Sequence, residues 1–364
     1  MAAQANPTLN NEQKIKAAID AYFMLRYEGQ KTLNAKGYLP LVSTRNDARK
    51  WLQKEQDKQE IEIFQGKTVG LNYLTYKYKL NYQNIKIVDN TANVVLFENN
   101  EVVYSVSAPV VTKLANLKHV ISLVLTSNSW KITDDNYRDE LTQLMQYNSK
   151  AEIEQSIRNE YEANLKSQHI LQPNLPQATT YNRTNAVNYA QKYWSYPGNS
   201  SQYLPMYISI GYKGDCTNFA SQVVKAGGGA LDTSGSKKWF YSAGTVADNF
   251  NVWSTYNDDT YSSSWTVVGD LYTYLMDTTA DTPGPTGYLF SPTNLCNMGG
   301  GDVVQLSADG GSSYFHTVVI VNVGSGCTTD GNSVYINSHD TDRQNYPLVG
   351  YSGYTKRLIA IFVP

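Results

Sequence analysis

Residues 214–222 read Gly-Asp-Cys-Thr-Asn-Phe-Ala-Ser-Gln and place Cys216 where a glycine-ended loop turns into a helix. A thiol at a helix start meets unpaired backbone N–H groups and the positive end of the helix dipole. Both favour the thiolate, which is the nucleophilic form. Asp215 is a natural N-cap, but its charge opposes the thiolate, so a nearby histidine must do much of the activation. His316 is the candidate base, opening the apolar run 317–321 after the flexible Gly310-Gly311-Ser312-Ser313. A base at a strand end beside a thiol at a helix end makes a Cys–His pair. The next strand ends in Asn337, His339 and Asp340, any of which could orient the imidazole. Residues 324–332 form the turn between the two strands, so antiparallel pairing returns residue 339 or 340 opposite His316. Taken singly, Cys216 also reads as an inert buried thiol and His316 as a strand-end hydrogen bonder.

The elements that must hold this pair lie in the second half of a chain whose composition divides sharply. No glutamate follows Glu162, and only Gly29, Gly37, Gly66 and Gly70 precede residue 171. The stretch 172–177, Gln-Pro-Asn-Leu-Pro-Gln, reads as a linker between two units. In the second unit, helices are expected over 185–194, 216–226 (stopped by Gly227-Gly228-Gly229) and 267–276. Strands follow over 302–306, 316–323, 333–338 and 358–363.

The first unit opens with Ile15, Ile19, Tyr22 and Leu25 at helical spacing, and a second helix is expected over 44–59. Tyr76, Tyr78, Leu80 and Tyr82 then alternate with polar residues as a half-buried strand, followed by strands at 85–88, 93–97, 102–106, 117–126 and 129–133. Asp89-Asn90 and Asn99-Asn100 are the expected turns. Residues 139–166 form a charged helical connector. Helices followed by an antiparallel meander make an α+β unit, which in element order resembles the cone-shaped NTF2-like (cystatin-like) architecture. The expected organisation is a disordered N-terminus at 1–11, an NTF2-like domain at 12–138, a connector and linker at 139–177, and the domain bearing the thiol at 178–364. Without a cysteine, the first unit has no plausible nucleophile and reads as an interaction module that positions or partly covers the second.

Composition removes several function classes. The net charge is −2, which argues against nucleic acid as a partner. No run of 18 apolar residues suggests a membrane span. The four histidines and three cysteines show no local zinc-ligand spacing, so no metal is expected. A G-x-S-x-G elbow is absent, and a glycosidase in the second half would lack glutamate. Ala3-Gln4-Ala5 has the form a signal peptidase cuts after, so the sequence reads as a nearly mature exported protein with an added Met1. In an oxidising compartment Cys296 and Cys327, both in loop sequence flanking a hairpin, can form a disulfide.

Residues from about 181 to 363 resemble the Putative amidase domain family of secreted Gram-positive bacterial proteins, papain-like cysteine hydrolases related to NlpC/P60 and CHAP domains. The resemblance rests on Tyr181-Asn182-Arg183 with Ala186 and Tyr189-Ala190, residues 214–222, Ser264-Trp265, Gly301-Asp302-Val303, His316, and Ser338-His339-Asp340-Thr341-Asp342-Arg343. It implies a papain-like α+β domain with Cys216 as nucleophile, His316 as base and a polar third residue on the next strand. His339 is the first choice for that role, with Asn337 and Asp340 as alternatives and Asp215, Asn218 and Gln222 in support. With no glutamate after residue 162, a Cys-His-Glu version is excluded. The implied activity is cofactor-free hydrolysis of peptide or peptidoglycan amides by a secreted or cell-wall-associated enzyme. The rival expectation is a non-catalytic surface or peptide-binding scaffold with an inactive papain-like domain, in which Trp239, Trp253 and Trp265 form a binding surface.

Overall fold

The computed structural model describes residues 10–35, 37–166, 180–195, 215–242, 260–277, 283–325, 327 and 332–363. The expected linker at 172–177, the N-terminal tripeptide at 3–5, His169 and Trp253 lie outside these residues.

Helix α1 (Asn11–Thr32) starts at a reciprocal cap. The Asn10 side chain accepts from the Gln13 amide, and the Gln13 side chain accepts from the Asn10 amide. Ile15, Ile19 and Tyr22 are all buried. Helix α2 (Asn46–Val69) stops at Gly70, whose φ of 73° suits a residue without a Cβ. Four antiparallel strands follow: β1 (Tyr73–Val88), β2 (Thr91–Tyr104), β3 (Val111–Thr126) and β4 (Ser129–Asn136). Tyr78 stacks on Tyr27 of α1 at 4.4 Å while Lys77 and Lys79 face water, as the alternation requires. The turn at Asp89-Asn90 is present, but Asn99-Asn100 is not a turn. There β2 runs straight on, and β3 carries an extra residue between Leu114 and Leu117. Asn116 (φ 56°) donates its amide to the Asn99 side chain, so that asparagine serves a bulge.

The connector breaks into α3 (Glu140–Tyr147), capped by Asp139, and α4 (Lys150–Lys166). Beyond it come α5 (Arg183–Lys192), α6 (Cys216–Ala226), the short β5 (Tyr241–Ser242) and β6 (Thr260–Tyr261), then α7 (Ser263–Thr266) and α8 (Val268–Leu275). The chain ends in β7 (Thr286–Phe290), β8 (Val303–Ser307), β9 (His316–Val323), β10 (Val334–Ser338), β11 (Asp342–Pro347) and β12 (Thr355–Phe362). The fold class is α+β with an antiparallel sheet.

Among the described residues one sheet runs β1-β2-β3-β11-β10-β9-β8-β12-β7, with β4 also on β3. The two halves therefore share backbone hydrogen bonding, through Asp342↔Ala115, Arg343↔Leu114 and Gln344↔Lys113. Strand β9 is covered on both faces. Val318 and Ile320 enter a core shared with Ile61 and Ile153 of the first half, while Val319 and Val321 pack with Phe219, Val223 and Trp265. Each such side chain contributes about 1.5–3 kcal/mol, so the strand that begins at His316 is firmly held.

Candidate active site

Cys216 is the first residue of α6 and His316 the first of β9. Each is only 3% exposed. Donor atoms of Cys216, His316 and Asp340 all lie within 4.8 Å of one another. Phe219, Val223 and Val224 bury the helix, and its polar residues link side chain to side chain. Tyr189 donates to Gln222 (2.6 Å), and Gln222 and the Trp265 indole both donate to Asn218 (3.0 and 2.7 Å). Asn218 in turn donates to Asp215 at 2.6 Å. Asp215, Asn218 and Gln222 thus seat the helix that presents the thiol. Asp215 occupies the N-cap position without making a side-chain cap bond to the helix backbone. Its other carboxylate oxygen meets His339 Nδ1 at 2.6 Å. Arg183, from the opening of the matched motif, pairs with buried Asp302 at 2.7 Å and ties α5 to the sheet.

The sequence-derived candidates for the third role separate here. His339 is 1% exposed and stacks on Phe219 at 4.2 Å. Its Nδ1 is bound to Asp215 and its Nε2 to the Tyr193 carbonyl at 2.6 Å. Two acceptors hold it as imidazolium, its pKa pushed up to about 9 by Asp215 against the opposing effect of burial. It braces α6 and does not orient His316, because both ring nitrogens are engaged elsewhere. Asn337 is likewise engaged, donating to the Ala190 carbonyl at 3.0 Å and accepting from the Asn345 amide at 2.8 Å. Asp340 is the alternative that reaches the pair. The register Asn337↔Val319, continued past the strand end, carries it opposite His316. Its φ of 81° is a conformation few non-glycine residues adopt, and the Asp215 amide fixes its carboxylate at 2.5 Å. Its Oδ2 lies 4.0 Å from His316 Nδ1, and about a third of its side chain is exposed.

On the other side of the ring, His316 Nε2 is buried and has no hydrogen-bond partner. The nearest carboxylate is Glu140 Oε1 of α3, at 3.6 Å. The exclusion of glutamate considered only residues after 162, and the shared sheet brings one in from the first half. No linear signal marked it, since Glu140 lies in an ordinary charged stretch behind the helix cap Asp139.

The surroundings of the thiol oppose the thiolate that its helix position favours. Burial pushes Cys216 up, and the Asp340 carboxylate, which accepts from the thiol, pushes it the same way. The Thr317 backbone amide and the Thr217 hydroxyl oppose this and lose. Burial also moves His316 down, outweighing the Glu140 and Asp340 charges. Both shifts favour a neutral thiol beside a neutral imidazole over an ion pair. A Cys–His–Asp donor set also suits a soft divalent cation, and no local spacing marks it because the three residues come from separate elements.

Cys296 and Cys327 are joined in a disulfide with Cα atoms 5.7 Å apart. Trp239 and Trp265 are fully buried and pack together at 4.7 Å, so they form core and not the aromatic surface considered for a scaffold.

The family model described as "Putative amidase domain" matches residues 180–362, half of the chain, and the protein belongs to that family. Its Cys216, His316 and Asp340 all fall within the match, whereas Glu140 lies outside it. No curated protein matches the chain. Among solved structures, the Kfla4162 protein from Kribbella flavida is similar at 10% identity and a TM-score of 0.25, over 36% of this chain and 93% of that one. The intermembrane space region of chloroplast protein ARC6 is similar at 14% identity and a TM-score of 0.27, over 36% of this chain and 98% of that one. Among the described residues no helix is long and apolar enough to cross a membrane.

Proposed function

We propose that the chain is an exported cysteine-dependent amide hydrolase of the papain-like, NlpC/P60-related kind, acting on peptide or peptidoglycan amides. The observation that carries this reading is the meeting of Cys216 and His316, from different elements, in one buried cluster inside the amidase-family match. Because thiol and imidazole rest neutral, His316 acts as a general base during attack. Its unprotonated nitrogen takes the thiol proton as the sulfur–carbon bond forms, and the carbonyl electrons move to an oxyanion. The Cys216 backbone N–H at the start of α6 is the candidate donor to that oxyanion. The imidazolium then gives its proton to the leaving amine as the C–N bond breaks, and water hydrolyses the thioester to acid and free thiol. The disulfide supports an oxidising compartment. The NTF2-like reading of the first half rests on its element order of two helices and a four-stranded meander.

The test is release of amines from peptide and peptidoglycan amides by the full chain and by His316→Ala. The proposal requires turnover by the first and a loss of at least about a hundredfold in the second. Equal turnover by both would remove it. The buried, high-pKa thiol favours one rival, a scaffold whose thiol does no chemistry. A folded full chain that releases no amine from any of these amides would point to that rival.

A further inference from the structure

Glu140 belongs to α3, outside the residues that match the amidase family, yet it is buried beside His316 Nε2, while Asp340, which accepts from the thiol, lies on the Nδ1 side. Its carboxylate is held by two side chains from the second half, through three donor atoms. Arg343 approaches with Nη2 3.0 Å from Oε2 and Nε 3.4 Å from Oε1, and the Tyr351 hydroxyl donates to Oε1 at 3.1 Å. Burial would raise this carboxyl, but Arg343 and His316 hold it below the usual range, so it stays charged. Arg343 is itself fixed by the strand pair that joins the halves, opposite Leu114. A buried anion is therefore locked 3.6 Å from His316 Nε2, a buried ring nitrogen with no hydrogen-bond partner.

We propose that Glu140 is the positioning residue of the Cys216–His316 pair, so that the N-terminal half completes the active site. This rests on the hydrolase reading above. A carboxylate beside Nε2 keeps the neutral ring's proton on that nitrogen and leaves the Nδ1 lone pair toward Cys216. When Nδ1 takes the thiol proton, the ring becomes a cation flanked by a fixed anion, and it later returns that proton to the leaving amine. A gap of 3.6 Å is within the slack such contacts show before substrate binds. Asp340 cannot replace Glu140, because it faces Nδ1, the nitrogen that must stay free to accept.

The groups acting on His316 are Glu140 and Asp340, which raise it, and Arg343 and Arg138, which lower it. The first experiment needs no substrate. In the full-length Cys216→Ala chain, 15N spectra of the histidines report which nitrogen of neutral His316 is protonated. The proposal expects Nε2–H; Nδ1–H, which Asp340 would favour, overturns it. In the same background Glu140→Gln should lower the His316 pKa by about 1–3 units. In the active chain Glu140→Gln should cut kcat at least tenfold with KM within twofold, and Glu140→Asp should recover part of the loss. A folded Glu140→Gln chain with unchanged His316 pKa and kcat shows only a counter-ion to Arg343 and overturns the proposal. If that variant does not fold, the Cys216→Ala spectra alone decide. Turnover that survives Cys216→Ala would remove the hydrolase reading while leaving the tautomer result standing, so the two failures are distinguishable.

Discussion

Replacing Cys296 and Cys327 together by serine should destabilise the chain by about 3.5 kcal/mol without altering its chemistry. The bridge closes a loop over a sequence separation of 31 residues that contains β8, β9 and His316. Closing a loop of that length removes about 12 cal/mol/K from the unfolded chain, or about 3.7 kcal/mol at 25 °C. Both cysteines are only partly buried, so the exchange of sulfur for oxygen contributes little beside this entropy. A loss of 3.5 kcal/mol changes the folded-to-unfolded ratio several hundredfold. Urea denaturation of both chains, followed by tryptophan fluorescence, reads it as a drop in midpoint. Because the variant is nearly free of the bridge's constraint only when unfolded, turnover per folded molecule should stay within about twofold. A stability loss below about 1 kcal/mol would refute the loop-closure argument. Intact stability with lost turnover would mean that the bridge shapes the site and does not merely constrain the unfolded chain.

Asp340→Asn should make Cys216 more reactive, since the carboxylate both accepts from the thiol and raises its pKa. Iodoacetamide labelling at pH 7 should accelerate about tenfold for each unit by which that pKa falls, and slower labelling would contradict the assignment. Stability should fall between pH 6.5 and pH 9.5. His119, buried between Asp135 and Glu98, and His339, beside Asp215, both have pKa values raised to about 9. Raised values add stability that is complete below the unfolded value of about 6.5 and disappears as pH passes 9, a change on the order of 3 kcal/mol for each histidine. Urea midpoints at the two pH values check this, and a flat profile refutes it. Micromolar Zn2+ should inhibit turnover reversibly by bridging Cys216, His316 and Asp340, with activity restored by a chelator; an unaffected rate would show that the three donors cannot converge on one ion.

The positions of Cys216 and His316 were legible because each sits at a boundary that sequence marks clearly. Cys216 follows a glycine and opens an apolar helix face, and His316 precedes a run of β-branched residues. Turn length brought residue 339 or 340 opposite His316, and a register shift between Tyr335 and Ile336 makes it Asp340. The role of His339 was not legible, because it depends on Asp215 and the Tyr193 carbonyl, which lie far away in sequence. Strand β11 escaped notice for a related reason. Asp-Arg-Gln-Asn-Tyr-Pro shows no alternation, since this strand satisfies its backbone against β3 and β10 and places Arg343 on a buried glutamate. That strand is what joins the halves, so the approach of Glu140 to His316 was equally hidden. The thiol's surroundings were not legible: burial and the Asp340 carboxylate, which raise its pKa against the pull of the helix start, come from tertiary packing.

The central claim is that Cys216 is the nucleophile, and the most direct measurement is amine release from peptide and peptidoglycan amides by the full chain and by Cys216→Ala. A small side chain at the first position of α6 leaves the Asp215–Asn218–Gln222 chain and the packing of Phe219 in place, so the variant should keep its fold by circular dichroism. The account predicts amine release by the native chain, trapping of an acyl adduct on Cys216 by mass spectrometry, and neither in the variant. Undiminished release by a folded Cys216→Ala chain would contradict it.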